Sequence, residues 1–365
     1  MKEAKDVSNL TDFMTMHEFA KTAKDKLSIE TWDYLIGGAY TETTLKRNRQ
    51  SLDNIAFRPR VLNNVESVDA SVELFGHKLR LPVIMAPIGS VQDFVEGGGV
   101  VPTKAAARFG CYHMLSSVCK PYLEAVAESV EYPKIYQLYV RGDAKWVDDH
   151  IDRAIASGYV AFCFTVDLDY YSKRERDVAK RYLSTSRKTQ ASGEEWQKRF
   201  NWNDIKRIRS KYDIPMIIKG IATAEDASKC VEYGIDAVYV SNHGGRQLDH
   251  GRGGVDVLPE IVKAVNGKAK IIFDGGIMRG ADLVKAMIMG ADCVGVGRLQ
   301  GLAAGAAGED GIVRMLELLE EEAIAALGML GVTKWEQLDM SYLHGATEVT
   351  PAHVLSAFPL LDEGY

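Results

Sequence analysis

The stretch Lys270–Arg298 reads KIIFDGGIMRGADLVKAMIMGADCVGVGR, and its pattern decides the fold. Two short apolar runs, KIIFD and DCVGVG, flank an amphipathic segment of helical length, ADLVKAMIM. Strands that alternate with helices of this length form βαβ units and a parallel sheet. Both runs are apolar along most of their length, as expected of strands that are covered on both faces.

The same alternation extends over most of the chain and predicts eight strands and eight helices. The predicted strands are Leu81–Ala86, Cys111–Ser116, Lys134–Tyr139, Val160–Asp167, Pro215–Lys219, Ala237–Asn242, Lys270–Asp274 and Asp292–Gly297. The predicted helices are Pro102–Phe109, Pro121–Val130, Ala144–Ser157, Trp202–Lys211, Ala224–Tyr233, Val257–Val265, Ala281–Met289 and Ala303–Leu319. These numbers predict an α/β protein with a single (β/α)8 TIM barrel, and a doubly wound open sheet is the alternative.

The domain organisation follows from what surrounds this pattern. We predict one domain over residues 1–365: an N-terminal helical cover at 1–80, the barrel at 81–305, and C-terminal helices with a tail at 306–365. The cover is predicted to contain helices at Thr15–Lys26, Thr31–Ile36 and Thr43–Asn54 and a hairpin at Val72–Leu79. The charged insertion from Tyr170 to Asn201, after the fourth strand, is long enough to be an active-site loop.

Composition excludes several classes of function. The net charge of −6 does not indicate a basic surface, so nucleic acid is not an expected partner. No apolar run reaches the roughly 18–20 residues of a membrane span, and the polar N-terminus does not resemble a signal peptide. Five cysteines without a C-x-x-C pair predict reduced thiols in a cytoplasmic protein. The histidines are scattered, so no metal site is expected.

Polar residues and glycines stand where all eight strands end. They are Pro87–Gly89, Ser116, Gln137 with Tyr139, Thr165 with Asp167, Lys219, Ser241–Arg246, Asp274–Gly276 and Gly297–Arg298. Active sites of barrels lie at these C-terminal strand ends, so the set predicts one site. Gly-Gly and Gly-Arg before helices are typical of a phosphate site. The segment Gly295–Gly301 has the wrong spacing for a dinucleotide fingerprint.

The segment Ser241–Asp249, SNHGGRQLD, resembles the signature of the FMN-dependent 2-hydroxy-acid oxidising family, which includes glycolate oxidase, lactate oxidase, lactate monooxygenase and mandelate dehydrogenase. MAPIG, QLYV, IIKGI, FDGGIMRG and GVGR resemble its other landmarks, in the family's order. The resemblance implies bound FMN and oxidation of an (S)-2-hydroxy acid to the 2-oxo acid. It also implies a homo-oligomer, a tetramer or larger. The electron acceptor stays open between O2, a quinone and another carrier.

The resemblance also assigns roles to residues. His243 would be the active-site base and Asp167 would stabilise its protonated form. Arg174 and Arg246 would clamp the substrate carboxylate. Tyr34 and Tyr139, likewise catalytic and substrate-binding, would hydrogen-bond the carboxylate and the hydroxyl. FMN would be held at its ring by Pro87, Ile88, Gly89, Ser116, Gln137, Thr165, Lys219 and Ser241, at its ribityl chain by Asp274, Gly275 and Gly276, and at its phosphate by Gly297, Arg298 and Arg279.

Three positions depart from the family pattern. Met278 replaces an arginine that would face the phosphate, and Arg279 is the candidate to compensate. Gly89 and Val118 stand where larger residues are common, and Tyr171 refills part of that space. We therefore predict a substrate larger than glycolate, with an aryl or longer alkyl side chain.

Two other functions are alternatives. One is a different FMN-barrel chemistry, such as isomerisation or oxidative modification of a natural product or peptide. The other is a binding or scaffold protein that has lost activity. The presence of His243, both arginines and both tyrosines argues against each of them.

Overall fold

A computed structural model describes residues 13–189 and 192–364 of the chain. The predictions for the N-terminal twelve residues, for positions 190 and 191 of the loop and for the last residue lie outside these described residues.

The N-terminal segment covers both ends of the barrel, as predicted. Its helices are α1 (Met16–Lys26), α2 (Ile29–Ile36) and α3 (Thr43–Asp53), and its strands are β1 (Ile55–Phe57), β2 (Val72–Leu74) and β3 (His77–Leu79). The predicted hairpin is confirmed as the β2–β3 pair. The hydroxyl of Tyr112, in the barrel interior, donates to the carbonyl of Leu74, which ties this hairpin to the N-terminal end of the barrel.

Eight parallel strands close into a barrel, so the predicted fold is confirmed. They are β4 (Val83–Met85), β5 (Tyr112–Ser116), β6 (Ile135–Leu138), β7 (Ala161–Thr165), β8 (Met216–Ile221), β9 (Ala237–Val240), β10 (Lys270–Phe273) and β11 (Cys293–Val296). Each strand pairs with the next, and β11 pairs back onto β4 with Val294 opposite Val83. The alternative of an open sheet is wrong, because this last pairing leaves the eight strands without an edge.

Helices surround the barrel on its outer face. They are α4 (Val100–Phe109), α5 (Leu123–Ser129), α6 (Ala144–Ala156), α10 (Trp202–Lys211), α11 (Ala224–Glu232), α12 (Gly254–Val265), α13 (Gly280–Ile288) and α14 (Arg298–Leu330). The last is longer than predicted, and its backbone leaves helical geometry at Ala307 and Gly308. The predicted division between residues 305 and 306 therefore falls inside α14. A twelfth strand, β12 (Leu343–Gly345), pairs antiparallel with β1.

The insertion after β7 folds over the C-terminal mouth of the barrel. It contains three short helices, α7 (Glu175–Ala179), α8 (Thr185–Thr189) and α9 (Glu194–Arg199). Arg176 and Lys180 form ion pairs with carboxylates of the N-terminal cover. Asp93 accepts hydrogen bonds from the backbone and hydroxyl of Thr185. These contacts hold the predicted active-site loop against the mouth.

Candidate active site

A cavity lies at the C-terminal ends of the strands, and residues of the active-site loop and of α2 line its outer side. Fourteen of the predicted site residues line this cavity: Tyr34, Pro87, Ile88, Gly89, Tyr139, Arg174, Lys219, His243, Arg246, Asp274, Gly275, Gly276, Gly297 and Arg298. Residues from the cover, six strand ends and the loop thus meet in one place, as the barrel interpretation requires.

The segment Ser241–Asp249 forms one wall of the cavity, and its backbone geometry explains why glycine is needed there. Gly245 has φ 72°, and a side-chain carbon there would lie 2.4 Å from the backbone nitrogen of Leu45. Asp249 accepts hydrogen bonds from the backbone N–H groups of Thr41 and Thr44, and these two bonds cap the start of α3. The segment is therefore locked to the N-terminal cover, and this fixes the direction of His243.

His243 and Asp167 form a hydrogen-bonded pair. Nδ1 of His243 lies 2.9 Å from Oδ1 of Asp167, and Nε2 lies 3.4 Å from the hydroxyl of Tyr139 in the cavity. Burial, reinforced by Lys219 and Arg174 and only partly offset by Asp167, lowers the pKa of His243 below 6.5. Burial of Asp167 is outweighed by His243 and Lys219, so the pKa of Asp167 is also lowered. A neutral imidazole thus stands beside a carboxylate, ready to accept a proton.

Two guanidinium groups face the ring of Tyr34. The guanidinium carbon of Arg246 lies 5.0 Å from the ring centre and that of Arg174 lies 5.8 Å away. Arg246 donates to the carbonyl of Gly37 at 2.8 Å, and among the described residues neither arginine has a carboxylate partner. Burial opposes ionisation of Tyr34, but Arg246 and Arg174 overcome it and lower its pKa. The pair of cations is arranged to receive an anion.

A buried polar chain lies beside His243, whose backbone N–H donates to the hydroxyl of Ser241. Nζ of Lys219 donates to the hydroxyl of Ser241 at 2.9 Å, and that hydroxyl donates to Asp274 at 2.6 Å. Nζ of Lys219 also lies 3.4 Å from the second oxygen of Asp274. Burial alone would lower the pKa of Lys219, but Asp274 and Asp167 raise it, so the ammonium stays charged. A fixed positive charge therefore stands at the floor of the cavity.

The predicted phosphate end is only partly assembled. Arg298 lines the cavity and donates to the carbonyls of Ile36, Gly37 and Gly244. Met278 also lines it, whereas Arg279 does not. The guanidinium of Arg279 pairs with Glu322 of α14 at 2.7 Å, which holds it on the outside of the barrel. The structure therefore brings one of the two predicted arginines to the cavity.

The sequence matches known proteins over nearly its whole length. Residues 23–345 match the family described as FMN-dependent dehydrogenase. The chain belongs to this family. An L-lactate oxidase of Nostoc sp. is 36% identical over 359 residues, covering 91% of this chain and 98% of that protein. Glycolate oxidase 3 of Arabidopsis thaliana is 34% identical, covering 93% of this chain and 98% of the relative. The crystal structure of a mandelate oxidase superposes with a TM-score of 0.86 at 33% identity, covering 93% and 100% of the two chains. As an FMN-dependent dehydrogenase, the protein is an oxidoreductase whose cofactor is FMN.

The buried polar groups of this FMN-dependent dehydrogenase fit such a cofactor. Both amide atoms of Gln137 and the hydroxyl of Thr165 are buried without a hydrogen-bond partner among the described residues. Thr165 lies opposite Lys219 in the barrel, and Gln137 lies opposite Ser116. Unpaired buried groups are costly, so donors and acceptors arranged in this way require a polar ligand. The edge of the FMN ring, which carries alternating donors and acceptors, meets that requirement.

Several residues of the cavity lie outside the sequence prediction. Phe94, Leu168, Ser186 and Arg187 line it. Ser186 and Arg187 come from α8, in a loop whose charged sequence carries no signal of which side chains turn inward. Among the described residues, no cluster of three or more histidine, cysteine or acidic side chains is arranged to hold a metal ion. No helix in that part of the chain is long and apolar enough to cross a membrane.

Proposed function

We propose that this FMN-dependent dehydrogenase oxidises an (S)-2-hydroxy acid to the corresponding 2-oxo acid, and that the substrate is larger than glycolate. One observation carries the proposal: the neutral imidazole of His243 and the unpaired guanidiniums of Arg174 and Arg246 converge on one cavity. A carboxylate on the arginines would present the neighbouring carbinol to the imidazole. Relatives named for lactate, glycolate and mandelate support the same class of substrate.

Binding and orientation are the task of the arginines and tyrosines. The two guanidiniums offer forked donors that match a carboxylate, and the fixed fork sets the direction of the α-carbon. The hydroxyl of Tyr139 lies 3.4 Å from Nε2 of His243, so a substrate hydroxyl that approaches from the cavity can lie within hydrogen-bond distance of both. Burial and Asp167 raise the pKa of Tyr139 well above its ordinary value, so Tyr139 keeps its proton and donates.

Proton transfer is the task of His243. Oxidation of the alcohol removes two electrons and two protons, and Nε2 of His243 accepts one of these protons. The imidazolium that results is stabilised by the carboxylate of Asp167 at Nδ1. FMN, when bound, would supply the acceptor for the two electrons and for the second proton, and O2 or another carrier would re-oxidise it.

The cofactor would lie along the row of residues that the strands bring together. Gln137, Thr165, Ser116, Ser241 and Lys219 would hold the ring together with the backbone of residues 87–89. Asp274, Gly275 and Gly276 would hold the ribityl chain. Gly297 and Arg298 would hold the phosphate, with the N-terminus of α14 beside them. The Arg279 assignment has no support from its position.

The wall of the substrate pocket is closely packed around Gly89. A side-chain carbon at Gly89 would lie 2.8 Å from Val118 and 2.9 Å from Ser186, so these two side chains already occupy the space that the glycine was predicted to open. Val118, Tyr139 and Leu168 form a small apolar cluster on which Tyr171 packs. An apolar wall of this kind favours a substrate with a hydrocarbon side chain.

A substrate panel tests the proposal. Purified yellow holoenzyme is mixed anaerobically with glycolate, with (S)-mandelate and with a series of (S)-2-hydroxy acids of increasing chain length. Flavin absorbance is followed after each mixing. We expect bleaching by 2-hydroxy acids, with glycolate slower than the larger substrates because it leaves the apolar wall uncovered. Admission of air then shows whether O2 restores the colour. Absence of bleaching by every member of the panel would contradict the proposed reaction, and fastest bleaching by glycolate would contradict the proposed size.

The pH dependence of kcat/KM is expected to report His243. Its pKa is lowered, so the imidazole is neutral above that value and accepts protons. As the pH falls through the pKa, the imidazole becomes protonated and the rate falls. We therefore expect an acid limb with its midpoint below pH 6.5 and a plateau at neutral pH.

Asp167→Asn sharpens this test. Loss of the carboxylate removes a group that raises the pKa of His243, so the acid limb should move to lower pH. The plateau should fall about 100-fold, because the imidazolium loses its stabilising charge. Asp169→Asn, which removes an exposed carboxylate two residues away, is the matched control. An acid limb that moves to higher pH in Asp167→Asn would contradict the role of the pair.

We further propose a cytoplasmic homo-oligomer of four or more chains. All five cysteines are buried and free, which agrees with a reducing compartment. Val61, Leu62, Met329 and Met340 are exposed apolar side chains. They lie on segments joined by hydrogen bonds from Arg60 to Leu330 and Ser341, so they share one surface. Such a surface supports association of copies.

A further inference from the structure

Arg187 is a fourth guanidinium in the cavity, apart from Arg298 and from the pair that faces Tyr34. It belongs to α8 in the active-site loop and lines the cavity beside Ser186 and Tyr171. Its guanidinium carbon lies 3.9 Å from the centre of the Tyr171 ring. Tyr171 packs on the apolar wall of Val118, Tyr139 and Leu168. Arg187 therefore stands next to this wall, where a substrate side chain would lie.

The charges of the cavity leave Arg187 without an anion. Within the described part of the chain, Arg176 and Lys180 of the same loop are paired with acids, but no carboxylate pairs with Arg187. Glu194, whose charge it senses, is paired with Lys198. In the proposed function Arg298 serves the phosphate, Arg174 and Arg246 serve the α-carboxylate, and Lys219 is paired with Asp274. One cation remains.

The position of Arg187 is fixed by the loop around it. The hydroxyls of Ser186 and Tyr34 lie 2.9 Å apart, and the backbone N–H of Ser186 donates to Ser90 at 2.7 Å. Arg141 also donates to the hydroxyl of Tyr171, which holds the ring on which Arg187 stacks. Burial and repulsion from Arg174 lower the pKa of Arg187, so a nearby anion would stabilise its charge. A cation held in this way is ready to bind without reorganisation.

We propose that Arg187 determines specificity by binding an anionic group at the far end of the substrate side chain, so that the preferred substrate is a 2-hydroxy dicarboxylic acid. This rests on the proposed function, because the α-carboxylate must occupy Arg174 and Arg246 for the second carboxylate to reach Arg187. The methylene groups between the two carboxylates would contact Val118 and Leu168. The end of the substrate side chain would then be charged, in place of the aryl or alkyl terminus expected from the sequence.

The test compares two five-carbon substrates that differ at one end. (S)-2-Hydroxyglutarate carries a second carboxylate, and (S)-2-hydroxypentanoate ends in a methyl group. We expect the holoenzyme to favour the first by about 10- to 100-fold in kcat/KM, the range of one charge-assisted hydrogen-bonded contact. Arg187→Gln should abolish this preference and leave kcat/KM for 2-hydroxypentanoate within about twofold. Arg187→Lys should retain part of the preference, because it keeps the charge without the fork.

Lys188→Gln is the control, because it removes an exposed cation from the same helix outside the cavity and should change neither rate. Binding of 2-oxoglutarate and 2-oxopentanoate to oxidised holoenzyme, followed by flavin absorbance, should show the same loss in Arg187→Gln. Equal kcat/KM for the two substrates in the wild type, or equal losses for both in Arg187→Gln, would overturn the assignment. Failure of every 2-hydroxy acid to bleach the flavin would instead refute the proposed function itself.

Discussion

His243→Gln should leave a yellow protein whose flavin its substrate no longer reduces. Glutamine keeps a polar side chain next to Asp167, but it cannot accept the proton that leaves the alcohol. Loss of a positioned base costs about 100- to 10,000-fold in rate. Anaerobic stopped-flow mixing with the best substrate of the panel measures the rate of bleaching directly, and the absorbance spectrum before mixing reports the FMN content.

His250→Gln is the matched control for this variant. His250 lies in the same loop, seven residues further along, and its side chain is exposed outside the cavity. It should bleach at the rate of the wild-type enzyme. Retained flavin reduction in His243→Gln, with the FMN content unchanged, would remove His243 from the role of base.

Arg246→Leu should raise KM and lower kcat together. Arg246 donates to the carbonyl of Gly37 and faces Tyr34, so its guanidinium is preorganised for a carboxylate. Loss of the forked contact weakens binding by about 10- to 100-fold, since hydrogen bonds to charged groups contribute roughly 1.5–3 kcal/mol. The remaining Arg174 cannot fix the α-carbon alone, so kcat should fall by about 100-fold as well. Steady-state kinetics with one substrate separate the two effects.

Further variants distinguish the clamp from a general effect of charge. Arg246→Lys keeps the charge without the fork and should recover a small part of the activity. Arg174→Leu should resemble Arg246→Leu. Arg252→Leu removes an exposed arginine that pairs with Glu260, and it should leave both constants unchanged. An unchanged KM in Arg246→Leu would exclude that residue from the carboxylate clamp.

Local patterns were sufficient to predict the barrel because its strands and helices follow one another along the chain. Every predicted strand overlaps a strand of the structure, although β8 runs two residues past its predicted end at Lys219, and the helix Trp202–Lys211 has the predicted bounds. Long-range pairing was not predictable in the same way. β1 and β12 are three residues each and pair across almost the whole sequence, so neither shows a pattern of its own. The length of α14 was underestimated because glycines interrupt its helical pattern.

The residues of the site likewise fall into those that local patterns predict and those that long-range contacts place. Residues at the strand ends were predictable, since the register of a barrel brings them to one rim, and the cavity contains His243 and Lys219 as expected. Arg279 was predicted at the phosphate end, but its partner Glu322 lies 43 positions further along and could not be inferred from the motif. Arg187 was missed because the loop that carries it is positioned by long-range contacts, such as that of Thr185 with Asp93. Side-chain positions that are set by tertiary contacts therefore cannot be predicted from local sequence patterns.

His243 and the two arginines are expected to meet a substrate anion over bound FMN. A crystal structure of the His243→Gln holoenzyme soaked with its best 2-hydroxy acid tests this arrangement most directly. We expect the carboxylate to lie within hydrogen-bond distance of Arg174 and Arg246, with the α-carbon between the flavin ring and position 243. A substrate carboxylate bound away from both guanidiniums, or a side chain at position 243 directed away from the flavin, would contradict the account.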